Sequence, residues 1–189
     1  ILNVQMVVDY EKECKQQNVM IQLDIMKACD HVSWSFITQL MSHMGFGEMM
    51  SPILLLVGLG AMLHILLNGG ATKAVPLKRS LRQGCPLSPL LFAISTHSIL
   101  VKMQALATCG EIVGLVLPSR KQLIAQALAD DSFLFLKAVL DNINKAMEMW
   151  NLFALVSGLH INMRKSMLIR CTESDLVDLG WGIQILDQG

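Results

Sequence analysis

The stretch QALADDSFLFL, residues 126–136, sets two adjacent aspartates, Asp130 and Asp131, between two apolar runs. A carboxylate beside a buried strand is costly unless something neutralises it. The arrangement implies a tight hairpin with both carboxylates exposed at its tip. A second acidic strand end lies upstream. In VMIQLD, 19–24, Val19, Ile21 and Leu23 alternate with Met20, Gln22 and Asp24, which is the period of a strand. Asp24 closes that strand and is a candidate neighbour of the Asp-Asp pair. Three clustered carboxylates repel one another unless divalent cations sit between them, and hard cations such as Mg²⁺ favour such oxygen ligands. Two such ions, about 3.5–4 Å apart, activate an attacking oxygen and stabilise a leaving one, which is the chemistry of nucleotidyl transfer. Taken alone, Asp-Asp is more often an ordinary polar β-turn.

Composition narrows the classes. A chain of 189 residues, 53% hydrophobic, can bury the core of one domain. Lys+Arg and Asp+Glu are 15 each, so the formal charge is zero. A stand-alone nucleic-acid binder usually carries a basic excess, so a complete nucleic-acid machine is not expected. The first residue is Ile1, which fits a fragment. Cys14, Cys29, Cys85, Cys109 and Cys171 form no C-x-x-C pair, so neither a zinc site nor a disulfide framework is indicated, and a reducing compartment is the simpler setting. No basic region followed by an apolar one marks a signal peptide. The apolar run ILLLVGLGAMLHILL, 53–67, is shorter than the roughly 20 residues of a spanning helix and is broken by Gly58 and Gly60. It is expected to form a buried helix followed by a buried strand.

Trp34, Ile37, Met41 and Met44 recur at helical spacing, with Ser33 as N-cap and Gly45 as stop. GGATKAVPLKRSLRQGCP is turn-rich and basic. Residues 87–106 form a long apolar helix after Pro86. IVGLVL and QLIAQAL are strands around the turn PSRK, and DSFLFL is a further strand. In 139–158, Leu140, Ile143, Met147, Trp150 and Ala154 line one helical face, and Gly158 ends the helix. No linker is evident, so one α+β domain is expected.

The segments LDIMKACDHVSW, RQGCPLSPLLFAIS, ALADDSFLFL and SGLHINMRKS occur in that order. Together they resemble the reverse transcriptases of non-LTR (LINE-type) retrotransposons, especially those abundant in plant genomes. The resemblance runs from about Val19 to Lys165, and more loosely to Gly182. It implies a polymerase palm, an antiparallel sheet backed by helices with the active site on its open face, together with part of the fingers. The implied catalytic residues are Asp24, Asp130, Asp131 and Lys165. The implied metal set is Asp24, Ile25, Asp130 and Asp131, holding two Mg²⁺ ions, with Mn²⁺ as the alternative. Arg82, Gln83 and Gly84 match the family's nucleotide-side loop. Lys165 matches a lysine proposed in polymerases to protonate pyrophosphate; a solvated lysine after a turn fits it equally well. Cys29 stands where the family usually has Phe or Tyr, a ring that excludes a 2′-hydroxyl; a small buried residue is the plainer account. Asp30 matches the family's second acidic residue and is read as capping the helix near Ser33, with Lys27 supporting the same loop.

The implied reaction is RNA-directed DNA synthesis. A primer 3′-hydroxyl attacks the α-phosphate of a deoxynucleoside triphosphate, and positioning with charge neutralisation supplies most of the catalysis. The implied partners, in an intact parent protein, are an RNA template, a DNA primer and deoxynucleoside triphosphates. The setting is nuclear or cytoplasmic, with no membrane. Residues 1–189 are expected to be a single partial palm domain, without the upstream fingers, the thumb or an endonuclease. Two alternatives stay open: a catalytically inactive remnant of a decayed element, and a non-catalytic binding module.

Overall fold

The computed structural model describes residues 7, 9, 10, 17–47, 52–54, 58, 61–81, 84–128, 131–170 and 183–187. The chain opens with strand β1 (Asn18–Asp24), then helices α1 (Ala28–His31) and α2 (Trp34–His43). Four two-residue strands follow: β2 (Met62–Leu63), β3 (Leu66–Leu67), β4 (Gly70–Ala71) and β5 (Val75–Pro76). After the long helix α3 (Ser88–Thr108) come β6 (Leu115–Val116), β7 (Gln122–Leu123), β8 (Ala125–Leu128) and β9 (Asp131–Lys137). Helix α4 (Leu140–Ser157) and strands β10 (Met167–Arg170) and β11 (Gln184–Asp187) complete the order.

The main sheet runs β11-β10-β1-β9-β8. The expected antiparallel pairing describes β10, β1, β9 and β8, whereas β11 joins β10 in parallel. Strand alternation decides what each face meets. Val19, Ile21 and Leu23 stand with Leu134, Leu136 and Leu168 in a core shared with Trp34, Ile37, Ile99, Met103, Ile143 and Trp150 of the helices. The opposite face closes over Met20, Phe135 and Ile169 with Val7 and Leu115 in a smaller cluster. That second face opens toward Gln22 and Asp24, which are half-buried. Burying large aliphatic and aromatic side chains contributes roughly 1.5–3 kcal/mol each, so the helix-backed face carries most of the stability.

Local chemistry fixes the helix ends. The Ser33 hydroxyl accepts from the Phe36 N–H at 3.5 Å, the expected N-cap of α2. Asp30 is not that cap: it lies exposed within α1, where its N–H donates to the Lys27 carbonyl at 2.8 Å. Gly158 ends α4 at φ +83°, and a Cβ there would strike the His31 carbonyl. Glycine therefore provides both the left-handed turn and the close approach of α4 to α1. Met44 and Leu140, expected inside, are 50% and 51% exposed. Both share a helical face with buried residues, but they sit at helix ends that overhang the core. In α4 the buried position near the start is Asn142. Its side chain binds both backbone groups of Val113, at 2.7 and 2.8 Å, and the Lys137 carbonyl at 3.1 Å.

In the run 53–67, residues 53 and 54 are helical as expected, residues 55–57, 59 and 60 lie outside the described residues, and the expected buried strand is exposed instead. Ile53 is exposed and Leu54 buried. Beyond Gly58, residues 61–77 form a projecting hairpin, β2 with β5 and β3 with β4, turning at Asn68-Gly69 with φ of +49° and +83°. Such a two-residue turn suits the twist of a hairpin. Its strands are exposed throughout, with no second layer over them among the described residues. Among the described residues one helix, α3, is long and apolar enough to cross a membrane. Its Leu91, Ile99 and Met103 are instead part of the main core.

Candidate active site

The site begins with the register of two neighbouring strands. In the β1–β9 pair, Gln22 faces Phe133 and Asp24 faces Asp131. Directly opposed residues of an antiparallel pair project from one face with Cβ atoms about 4.5–5.5 Å apart. Asp24 and Asp131, far apart in sequence, are thus side by side at the open end of the sheet. Asp131 is the first residue of β9, paired also with Leu128 at the end of the expected β8–β9 hairpin, and it is half-buried rather than exposed. Asp130 lies outside the described residues.

A second set of contacts holds the end of β1. The Met26 N–H donates to the His160 carbonyl at 2.8 Å, and the Asn162 N–H donates to the Asp24 carbonyl at 2.8 Å. The Asp24 N–H donates to Ser166 Oγ at 3.1 Å, and that hydroxyl donates to the Asn162 carbonyl at 2.9 Å. On the open face, Gln22 Nε2 donates to Asp131 Oδ1 at 3.5 Å, a long contact. Gln22, Asn162 and Ser166 were not singled out from sequence. Gln22 was legible only as sharing the Asp24 face. Ser166 was visible only as a hydroxyl in the SGLHINMRKS segment.

The other expected residues fall around this pair. Lys165 is exposed on the turn that ends at Ser166, its N–H donating to the Asn162 carbonyl at 3.0 Å. Ile25 is buried and its side chain carries no donor atom, so its backbone carbonyl oxygen is the group it can offer a cation. Cys29 is half-buried and packs against the main core, and its carbonyl accepts from the Leu81 N–H at 2.7 Å. Gly84 is exposed at φ +82°. Arg82 and Gln83 lie outside the described residues. Leu81 and Ser80, just before them, are tied by backbone hydrogen bonds to Cys29 and Val32.

Among the described residues no group of three His, Cys, Asp or Glu side chains comes together. The pair that does meet suits a hard cation. Like charges directly opposed across two strands are destabilising, and among the described residues neither carboxylate has an ion-pair partner. Carboxylate oxygens are the donors Mg²⁺ takes. The donor set present therefore fits a divalent ion.

Comparison with known proteins agrees with this architecture. A telomerase from Candida tropicalis, solved with a fragment of telomeric RNA, superposes with a TM-score of 0.63 over 89% of this chain and 29% of its own, at 14% identity. An apo telomerase of the same organism gives 0.54 over 94% of this chain and 37% of its own, at 16% identity. At such identities the likeness shows the fold. In sequence, the chain is 28% identical over 147 residues to the transposon TX1 uncharacterized 149 kDa protein of Xenopus laevis. It is 29% identical over 120 residues to the retrovirus-related Pol polyprotein from the type-1 retrotransposable element R2 of Popillia japonica. These matches take in 77% and 64% of this chain but only 11% and 19% of the relatives' length. The model of the reverse transcriptase (RNA-dependent DNA polymerase) family matches residues 3–179. With the family model spanning nearly the whole chain and the fold alike, the chain belongs to the reverse transcriptase family.

Proposed function

We propose that this chain is the palm of a LINE-type retrotransposon reverse transcriptase and that its parent protein copies RNA into DNA. The observation that carries the proposal is the cross-strand placement of Asp24 opposite Asp131, two carboxylates with no cationic side chain to offset them among the described residues. Asp24 and Asp130 would hold both metal ions, with Asp131 contributing charge and a weaker ligand and the Ile25 carbonyl within the same set. When bound, the metal neutralises phosphate charge and lowers the pKa of the attacking hydroxyl. The chain's own part is positioning. The sheet fixes the spacing of the carboxylates before any nucleotide arrives, so little reorganisation is required during reaction. Gln22 steadies one oxygen of Asp131. Lys165, solvent-facing on the turn bound to Asp24, is placed by the proposal to give a proton to departing pyrophosphate. Arg82, Gln83 and Gly84 would line the nucleotide side, and Cys29 would stand in the gate position. A DNA primer, an RNA template and deoxynucleoside triphosphates are the substrates of this proposal. Origin in a plant genome and a nuclear or cytoplasmic setting belong to it as well.

The test is primer extension on an RNA template with Mg²⁺, using the chain within its complete reading frame. Extension abolished by Asp24→Ala and by Asp131→Ala supports the proposal. Extension that survives both substitutions refutes the site assignment.

A further inference from the structure

We infer that Ser166 is a positioning residue for Asp24: its hydroxyl fixes the backbone of the first metal-holding aspartate so that the carboxylate stays opposed to Asp131. The inference rests on the metal reading above and adds a residue to it. Ser166 is fully buried, yet it lies on a turn between two exposed residues' worth of chain, Arg164 and Lys165, and the start of β10. A buried hydroxyl must find partners, and this one uses both of its capacities: it accepts from the Asp24 N–H at 3.1 Å and donates to the Asn162 carbonyl at 2.9 Å.

The location gives these bonds their consequence. Asp24 is the last residue of β1, where the ladder to β10 has already ended: the register pairs Gln22 with Met167 and goes no further. On that side the Asp24 backbone lies between the end of the ladder and the isolated antiparallel bridge of Ile25 with Ile161. Its carbonyl is held by the Asn162 N–H and its own N–H by the Ser166 hydroxyl, so one short turn clamps both backbone groups of a single residue. On its other side Asp24 is still in register with Asp131. The clamp therefore sets the pitch of the Asp24 side chain relative to a fixed Asp131. Partners of this kind, one step behind a ligand, typically change metal affinity about 10–100-fold when removed.

The experiment uses the full 189-residue chain with two readouts. The first is hydrogen exchange of the Asp24 amide by NMR, which needs no metal. The second is Mn²⁺ affinity by electron paramagnetic resonance, with Asp24→Asn as the reference for loss. Ser166→Ala removes the hydroxyl, while Ser166→Cys keeps the volume with only a weak acceptor. Both are expected to speed exchange of the Asp24 amide about tenfold and to weaken Mn²⁺ binding about tenfold, while amides in α3 and α4 keep their protection. A purely packing role would leave Ser166→Cys like wild type in both measurements, and that result overturns the inference. Wild-type protection of the Asp24 amide in Ser166→Ala also overturns it. If the wild-type chain takes up no Mn²⁺, the metal reading fails, and the amide measurement still decides whether Ser166 holds Asp24.

Discussion

Opposed carboxylates on one face should make this site a point of strain in the absence of metal, and Asp24→Asn measures that strain. Asn has nearly the shape of Asp but carries no charge, and the substitution leaves the contact between Gln22 and Asp131 in place. With the cross-strand separation about 5 Å, the repulsion is about 0.8 kcal/mol at the dielectric constant of water and about 3 kcal/mol at an effective value of 20. Both side chains are half-buried, which places the expected gain near the middle, about 2 kcal/mol. For a chain of this size that corresponds to about 4–8 °C in Tm. The assay is thermal unfolding followed by circular dichroism, first in chelator and then in millimolar Mg²⁺. In chelator Asp24→Asn should melt higher than wild type. Mg²⁺ should raise the wild-type Tm, because a ligand bound only by the folded state stabilises it, and should raise the variant much less. High salt should narrow the difference in chelator, since screening weakens repulsion between partly exposed charges. A variant that melts lower than wild type in chelator, or an equal response of both proteins to Mg²⁺, would refute the reasoning.

Three further outcomes are expected. Gly158→Ala should destabilise the fold by about 2–4 kcal/mol, combining the left-handed backbone penalty with a clash against the His31 carbonyl; an unchanged midpoint in urea unfolding would contradict that packing. Asn142→Ala should cost about 1–3 kcal/mol, because the Val113 N–H loses its partner while the Val113 carbonyl keeps the Lys137 N–H; a loss below about 1 kcal/mol would mean that water replaces the amide there. Cys at the position of Cys29, placed in an active family member that carries an aromatic there, should increase ribonucleotide incorporation, since excluding a hydroxyl by shape needs a wall in contact with it; unchanged discrimination would leave Cys29 to the core it packs against.

What the sequence determined by itself is what period and local chemistry carry. Alternation in VMIQLD placed Asp24 on the face away from Val19, Ile21 and Leu23. Helical spacing located α2 and α4, and the apolar run after Pro86 located α3, to within a few residues, and Ser33 and Gly158 marked a start and a stop that the structure retains. The ordered motifs carried the family, because four short segments in one order and spacing are far more specific than any one of them. Tertiary structure decided the rest. Which residues of a helix end reach the core depends on where the neighbouring layer stops, so Met44 and Leu140 are outside and Asn142 is inside. An apolar run such as 61–67 looks like a buried strand by composition, but burial requires a second layer, and among the described residues the hairpin has none. The meeting of Asp24 with Asp131 is a matter of strand register, a long-range property that no local pattern encodes. The hold of Ser166 on the Asp24 amide is of the same kind, since a hydroxyl finds its partner only once the turn after α4 has folded back against the end of β1.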